Sequence, residues 1–204
     1  SHKLFFLLES IKLKLFQSKL SHASAMLAVS EKDTEYLQNR FPGKEVHYLP
    51  SFHGNIEPSG KPGMGNYAFY HGNLAVSENT LAAEFLIKEV FNDLEIPLII
   101  AGLNPPQSLR DLAAQYNITI FANTSAEKME ELLREAQVNV LITFQATGLK
   151  LKLLNTLFKG RHLLVNSKML AGTGLDDLCE KAEDASGLKK ELKRLIHTPF
   201  DGKT

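Results

Sequence analysis

The chain has 204 residues, 23 lysines and arginines against 23 aspartates and glutamates, and a pI near 7. This charge balance predicts no nucleic-acid partner, and no apolar run approaches the length of a membrane helix. Cys179 is the only cysteine, the histidines do not fall at zinc-ligand spacing and no acidic cluster suits Mg²⁺, so the sequence predicts no disulfide framework, no metal site and a reducing compartment such as the cytoplasm.

The first fifty residues predict the order helix, strand, helix, strand. Residues 3–20 place apolar side chains at helical spacing between lysines, which indicates core packing with a lysine-rich outer face; a membrane-surface helix is the alternative. Ser30 is expected to cap the second helix in a capping box with Asp33. The two short strands, 24–29 and 45–49, would form an unprotected sheet. Residues 1–50 are therefore predicted to be the remnant of a domain whose beginning is missing.

Residues 51–66 are predicted to be a linker. The stretch from Pro50 to Gly65 is rich in proline and glycine and poor in apolar residues, which is typical of an exposed connection. A domain boundary placed inside this stretch leaves residues 67–198 as the main domain and 199–204 as a tail.

From Tyr67 onwards, short apolar runs alternate with amphipathic stretches. This alternation predicts an α/β fold, a Rossmann-like doubly wound parallel sheet with right-handed crossovers, beside a partial second α/β domain. The predicted strands are 67–71, 97–101, 118–121, 138–143, 161–165 and 178–182. The predicted helices are 77–91, 107–116, 125–137, about 149–159, and 186–196, with 168–174 as a loop.

The most informative stretch is Phe144–Asn166, which follows a buried strand and reads as glycine turn, helix, glycine, strand. Ligands of open α/β sheets bind at such a turn. Thr147 and Gly148 break the strand pattern, and Lys150 and Lys152 stand where a first helical turn usually carries acids. Because a helix start has unpaired N–H groups and a positive dipole end, a diphosphate is predicted here. A solvated helix end with lysines is the alternative.

Three turns after predicted strands carry glycine or amide side chains, which let a ligand approach the backbone and supply uncharged donors and acceptors. They are His71-Gly72-Asn73, Gly102-Leu103-Asn104 and Thr147-Gly148-Leu149. The sequence contains no G-x-G-x-x-G fingerprint, no P-loop and no G-x-S-x-G elbow. His71 is a lesser candidate for a general acid or base, and a structural role is the alternative.

The order and spacing of these motifs resemble the nucleotide-sugar-binding half of GT-B glycosyltransferases, particularly the retaining group 1, or family 4, enzymes with two Rossmann-like domains. Residues 27–50 are similar to the end of that family's amino-terminal domain, and residues 71–74 to its first donor-domain turn. Gly148, Lys152 and Gly160 match the family pattern G-x3-K-x-L-E-A-x3-G. The resemblance implies a donor site formed by Gly72, Asn73, Gly102, Asn123, Thr147, Gly148, Lys150, Lys152 and Asn155.

The chain departs from this family at charged positions. Thr147 and Asn155 stand where family members often carry two glutamates, and Asn73 and Glu78 stand where an arginine and a lysine commonly hold the diphosphate. Asparagine accepts a hydrogen bond from ribose less strongly than a carboxylate, because it has no charge. The two lysines at the helix start would carry more of the phosphate recognition.

The resemblance implies a glycosyltransferase of polysaccharide biosynthesis. It would move a sugar from a UDP- or GDP-linked donor to a hydroxyl of an acceptor glycan or lipid-linked saccharide, without a cofactor, and this chain would be its donor-binding part, inactive alone. The expected location is the cytoplasm, with peripheral association at the inner face of the membrane as an option. The alternatives are a catalytically inactive binding module of the same fold and a nucleotide-sugar epimerase, which would need His71 and His53 as acid/base groups.

Overall fold

The computed structural model describes residues 2–49, 54–145 and 151–202. The chain divides into two compact units, residues 1–52 and residues 53–204. Within its described residues, 2–49, the first unit contains two helices and two strands, with a short 3-10 turn after the first helix. In chain order they are α1 (His2–Ser18), β1 (Ala25–Ala28), α2 (Glu31–Arg40) and β2 (Glu45–Tyr48).

The two strands of the first unit pair in parallel, with Ala25 opposite Glu45. The predicted cap of α2 is confirmed, because the Ser30 hydroxyl oxygen accepts from the Asp33 amide at 3.0 Å. The same hydroxyl donates to the Asp33 carboxylate at 2.7 Å. An aspartate in the third helical position therefore completes this helix start.

The first helix, α1, does not bury the apolar stripe that was predicted to pack in a core. Every large apolar side chain described on α1 is exposed, including Phe6 at 66% and Leu15 at 68%. These two side chains lie on opposite sides of the helix, so the apolar surface is not confined to one face. The core-packing prediction is wrong for this part of the chain. In the part of the chain that the structure describes, no helix is long and apolar enough to cross a membrane.

The second unit is built around a parallel sheet of six strands. They are β3 (Ala68–Asn73), β4 (Leu98–Leu103), β5 (Thr119–Ala122), β6 (Val138–Leu141), β7 (His162–Val165) and β8 (Glu180–Lys181). Their spatial order is β5-β4-β3-β6-β7-β8. Counted within this unit, the order is third, second, first, fourth, fifth, sixth, which is that of doubly wound dinucleotide-binding folds. The predicted Rossmann-like sheet is confirmed.

Helices cover both faces of this sheet. Successive strand residues point to opposite faces, so neighbouring residues of one strand contact different helix layers. Tyr70 and Ile100 face one helix layer, whereas Phe69 and Ala101 face the other. The first layer contains α3 (Ser77–Phe85), its π-helical continuation Leu86–Val90, α4 (Gln107–Gln115) and α8 (Ala185–Leu195). The second layer contains α5 (Ala126–Glu135), α6 (Leu151–Lys159) and α7 (Ser167–Leu170).

The structure differs from the predicted elements in the part of the chain that follows β7. The predicted loop 168–174 begins inside α7, which forms because the Asn166 side chain accepts from the Met169 amide and caps it. The predicted strand 178–182 is reduced to Glu180–Lys181, since a 3-10 turn, Asp176–Leu178, precedes it. Short elements of this kind depend more on neighbouring contacts than on their own composition.

Part of the segment predicted as a linker is hydrogen-bonded within the second unit. The Ser59 amide donates to the Phe158 carbonyl at 2.6 Å, and Gly63 and Phe200 exchange backbone hydrogen bonds of 2.8 and 2.9 Å. The buried Gln137 side chain accepts from the Gly65 amide. Residues 59–65 therefore form part of the body of this unit, despite their proline and glycine content.

Candidate functional site

The sheet reverses its order between β3 and β6, which makes this its topological switch point. β3 pairs with β4 over six residues but with β6 only at Ala68 and Phe69. The carboxyl ends of β3 and β6 consequently separate, and open α/β sheets bind ligands in the crevice that such a separation leaves. We call the space bounded by residues 72–79, 143–145 and 152–155 the switch-point crevice.

Lys152 of α6 extends into the switch-point crevice. Its Nζ lies 3.3 Å from Asn79 Oδ1 and 5.7 Å from the centre of the Tyr70 ring. The Asn79 side-chain Nδ2 donates in turn to the Asn73 backbone carbonyl at 2.9 Å, and the backbone carbonyl of Asn79 accepts from the Tyr70 hydroxyl at 3.0 Å. The ammonium group is thus positioned beside the bend that contains the predicted residues Gly72 and Asn73.

The sequence reasoning missed Asn79 as a site residue. An added Cβ at Gly72 would lie 3.1 Å from Asn79 Cγ, so this glycine gives the asparagine room to reach the end of β3. The available signal was the position of Asn79 in the first turn of the helix that follows a predicted ligand-binding bend. Asparagine near a helix start is normally attributed to capping, which concealed this role.

Glu78 and Thr143 connect the two sides of the crevice. The Thr143 hydroxyl donates to the Glu78 carboxylate oxygen Oε1. Thr143 is held by Asn166, whose side chain accepts from the Thr143 amide at 3.2 Å and donates to its carbonyl at 2.8 Å. The Glu78 carboxylate therefore lies in the crevice, and the next residue, Asn79, is the one that Lys152 contacts. The sequence analysis did not predict Thr143 as part of this site.

His71 lies behind the crevice and is only 9% exposed. Its ring stacks on Phe69, and Nε2 lies 3.3 Å from Thr156 Oγ1. Burial, and secondarily the ammonium group of Lys152, lower the pKa of His71 to about 4. The imidazole is neutral at neutral pH and has no imidazolium proton to give, which favours a structural role over a catalytic one. His53, the other histidine of the epimerase alternative, lies outside the described residues.

The remaining predicted donor-site residues are distributed along the carboxyl edge of the sheet. Asn155 Oδ1 lies 3.3 Å from Asn55 Nδ2 and accepts its hydrogen bond. The Asn123 amide donates to the Gly102 carbonyl at 2.9 Å, and its side-chain oxygen accepts from the Asn104 amide at 2.7 Å. These contacts join the ends of β4 and β5 and explain Gly102 and Asn123 without a ligand.

Three predicted donor-site residues, Thr147, Gly148 and Lys150, lie outside the described residues and stay predictions. Among the residues that are described, no group of three or more histidine, cysteine, aspartate or glutamate side chains could hold a metal ion. Of the described residues that were predicted for the donor site, Lys152 lies beside the Gly72–Asn73 bend, and the structure places Glu78, Asn79 and Thr143 next to them.

A parallel sheet of this order, with a crevice at its switch point, defines a Rossmann-like domain, and it is similar to domains of solved glycosyltransferases. No protein-family model and no curated protein sequence matches the chain. TarM has a TM-score of 0.68 at 11% identity, with 90% of this chain and 38% of TarM covered. A TarM variant from S. aureus has been crystallised with fondaparinux, alpha-GlcNAc-glycerol and UDP.

Two further glycosyltransferase structures are similar to this chain. A UDP-forming trehalose-phosphate synthase from Burkholderia xenovorans has a TM-score of 0.63 at 13% identity, with 88% of this chain and 55% of the synthase covered. A glycosyltransferase from Rickettsia africae has a TM-score of 0.61 at 11% identity, with 90% and 56% covered. The chain spans 38 to 56% of the length of these proteins. The likeness shows the fold, and at that level it agrees with the expected GT-B resemblance.

Proposed function

We propose that the second unit is the donor-binding part of a glycosyltransferase. The enzyme transfers a sugar from a UDP- or GDP-linked donor to a hydroxyl of an acceptor glycan or lipid-linked saccharide. The observation that carries the proposal is the ammonium group of Lys152, which reaches the switch-point crevice of a glycosyltransferase-like fold. A cation at this place attracts the diphosphate of a nucleotide sugar.

In the proposed reaction, the bond between the sugar's anomeric carbon and the diphosphate oxygen breaks while the acceptor oxygen bonds to that carbon, and the proton of the acceptor hydroxyl is released to solvent. The leaving diphosphate gains negative charge, which the ammonium group of Lys152 stabilises. Thr147, Gly148 and Lys150 complete the diphosphate site, and the amides of Asn73 and Asn155 provide uncharged hydrogen bonds to the donor. Retention of the anomeric configuration without a metal or cofactor is part of the same proposal.

The proposal also concerns residues 1–50 and the full-length protein. Residues 1–50 belong to an amino-terminal acceptor-binding domain, and this chain alone does not transfer sugar. Support comes from the exposed apolar side chains of α1, since a large exposed apolar surface marks a site of interaction. The full-length protein acts in the cytoplasm, in polysaccharide biosynthesis, with peripheral association at the inner face of the membrane.

Calorimetric titration of the chain with UDP, GDP and their sugars tests the donor site. We expect one nucleotide series to bind and the Lys152→Ala variant to bind it at least about tenfold more weakly, because a charge-assisted hydrogen bond is lost. Lys190→Ala, an exposed lysine on α8, is the control and should bind like the unsubstituted protein. Absence of binding by every nucleotide, or equal binding by both variants, would refute the assignment.

A further inference from the structure

Glu78 places a carboxylate in the crevice that the protein uses only in part. Oε1 accepts from the Thr143 hydroxyl. Within the described part of the chain, no group donates a hydrogen bond to Oε2. The side chain is half-buried in the first turn of α3, where the helix dipole favours a negative charge. One strong acceptor is therefore available at the edge of the crevice.

The charge of Glu78 acts on groups inside the crevice. Burial raises the pKa of the Tyr70 hydroxyl above its usual value, and the Glu78 carboxylate raises it further. The ring of the same tyrosine lies 5.7 Å from the ammonium group of Lys152. The crevice therefore holds a fixed negative charge and a fixed positive charge around one buried aromatic ring.

These two charges select different chemical groups. A carboxylate accepts short, strong hydrogen bonds from hydroxyl groups, as Glu78 does from Thr143, and it repels phosphate. Lys152 attracts phosphate instead. The crevice is thus divided into an anion part, at Lys152 and Asn79, and a hydroxyl part, at Glu78 and Thr143.

We propose that Glu78 determines the specificity of this site by accepting, through Oε2, a hydrogen bond from a sugar hydroxyl of the ligand while the ligand's phosphates lie at Lys152. The hydroxyl belongs to the ribose or to the transferred sugar. This inference rests on the proposed function. The hydrogen bond to Glu78 would orient the donor in the crevice. Such a role explains why a carboxylate lies close to a site for an anion.

The test compares ligands that share the phosphate but differ in hydroxyl groups. Binding of inorganic pyrophosphate, of the nucleoside diphosphate identified above and of its sugar form is measured calorimetrically for the unsubstituted chain and for Glu78→Gln. Glutamine keeps the size and an acceptor for Thr143 but removes the charge. Glu84→Gln, on the same helix and paired with Lys88, is the matched control.

We expect Glu78→Gln to bind the sugar-bearing ligand about tenfold more weakly, because its hydroxyl loses a charged acceptor, and to bind pyrophosphate equally or more tightly. If Glu78→Gln also binds the nucleoside diphosphate more weakly, the hydroxyl that Glu78 binds belongs to the ribose. If only the sugar form binds more weakly, the hydroxyl belongs to the transferred sugar. Glu78→Asp keeps the charge but shortens its reach, and it should weaken the sugar-bearing ligand without strengthening pyrophosphate. Thermal unfolding verifies that each variant folds.

The two proposals fail separately. If the unsubstituted chain binds none of the ligands, the donor-site proposal fails and this inference fails with it. If the unsubstituted chain binds them but Glu78→Gln weakens all three equally, strengthens all three or changes none, Glu78 does not recognise a hydroxyl and only this inference is overturned.

Discussion

The His71 imidazole contacts Phe69 and Thr156 at the carboxyl end of β3. The Thr156 hydroxyl donates to the Lys152 carbonyl at 2.8 Å, so its oxygen is left to accept from His71. This arrangement assigns the hydrogen to Nε2 of a neutral imidazole. The residue therefore supports the first turn of α6, which carries Lys152.

Acid should destabilise the protein through His71. The unfolded chain binds a proton on this residue below about pH 6.5, whereas the folded chain does so only below about pH 4. Because the unfolded state binds more protons between these values, the free energy of unfolding falls as the pH drops through that window and is unaffected by His71 above it. Between pH 7 and 4.5 the loss should be about 2–3 kcal/mol.

Urea unfolding at pH 7 and pH 4.5 measures this loss. His71→Gln should lose less stability over the same interval, since it has no group that titrates there. The carboxylates are common to both proteins, so the difference between the two pH dependences isolates the histidine. Identical pH dependences would show that His71 is not held neutral by burial.

The residues of the candidate site differ in how readily the sequence predicts them. Lys152 stood out because a lysine at a helix start opposes the usual acidic preference. Glu78 and Thr143 are ordinary residues at their positions, and their hydrogen bond joins side chains 65 residues apart. A contact of that kind has no local pattern, which is why the hydroxyl part of the crevice was not predicted.

At the scale of elements, β3 and β4 approach each other closely where their predicted ligand-binding glycines lie. Gly72 and Gly102 are partners in the parallel register. A Cβ added at Gly102 would lie 2.0 Å from the Gly72 carbonyl oxygen and 2.9 Å from Leu74 Cγ. Glycine at position 102 is therefore required by strand packing, whether or not a donor binds.

We expect Gly102→Ala to lower the free energy of unfolding by about 1–3 kcal/mol, because the new methyl group overlaps backbone that cannot move independently. Gly54→Ala is the control, since nothing lies within 4 Å of its added Cβ. Chemical denaturation without any ligand compares the two variants. Equal stabilities would mean that the close approach is not maintained in solution.

Helix starts were predicted better than short strands. Ser30 and Ser125 cap α2 and α5 through hydroxyl groups that accept from the third helical amide, and such caps depend on residues adjacent in sequence. The two-residue β8 depends instead on its parallel partner β7. Its length therefore follows from the sheet, which sequence reading could not supply.

At the scale of the whole molecule, the two units differ greatly in how many side chains they bury. Among the residues whose burial is described, the first unit buries Met26, Ala28, Thr34 and Val46, whereas the second unit buries side chains on both faces of a six-stranded sheet. Because local stability follows buried apolar contact, the two units should open with different free energies.

Hydrogen exchange followed by mass spectrometry on the full chain measures this difference. Amides of β3 and β4 should exchange at least about a hundredfold more slowly than those of β1 and β2, since opening the sheet exposes a large core and opening the strand pair does not. Similar protection in the four strands would contradict the expectation and indicate that the first unit is stabilised in a way that its own core does not explain.

The sequence by itself determined the fold class, because the alternation of apolar runs, amphipathic stretches and turn residues is encoded between near neighbours. It also predicted Lys152 and the Gly72–Asn73 bend as donor-site residues, which stays a prediction. Only the tertiary structure decided the strand order, the separation of β3 from β6, and the meeting of Lys152 with Asn79 across 73 residues. These features arise when distant segments pack together, and no local period or propensity specifies which distant segments will meet.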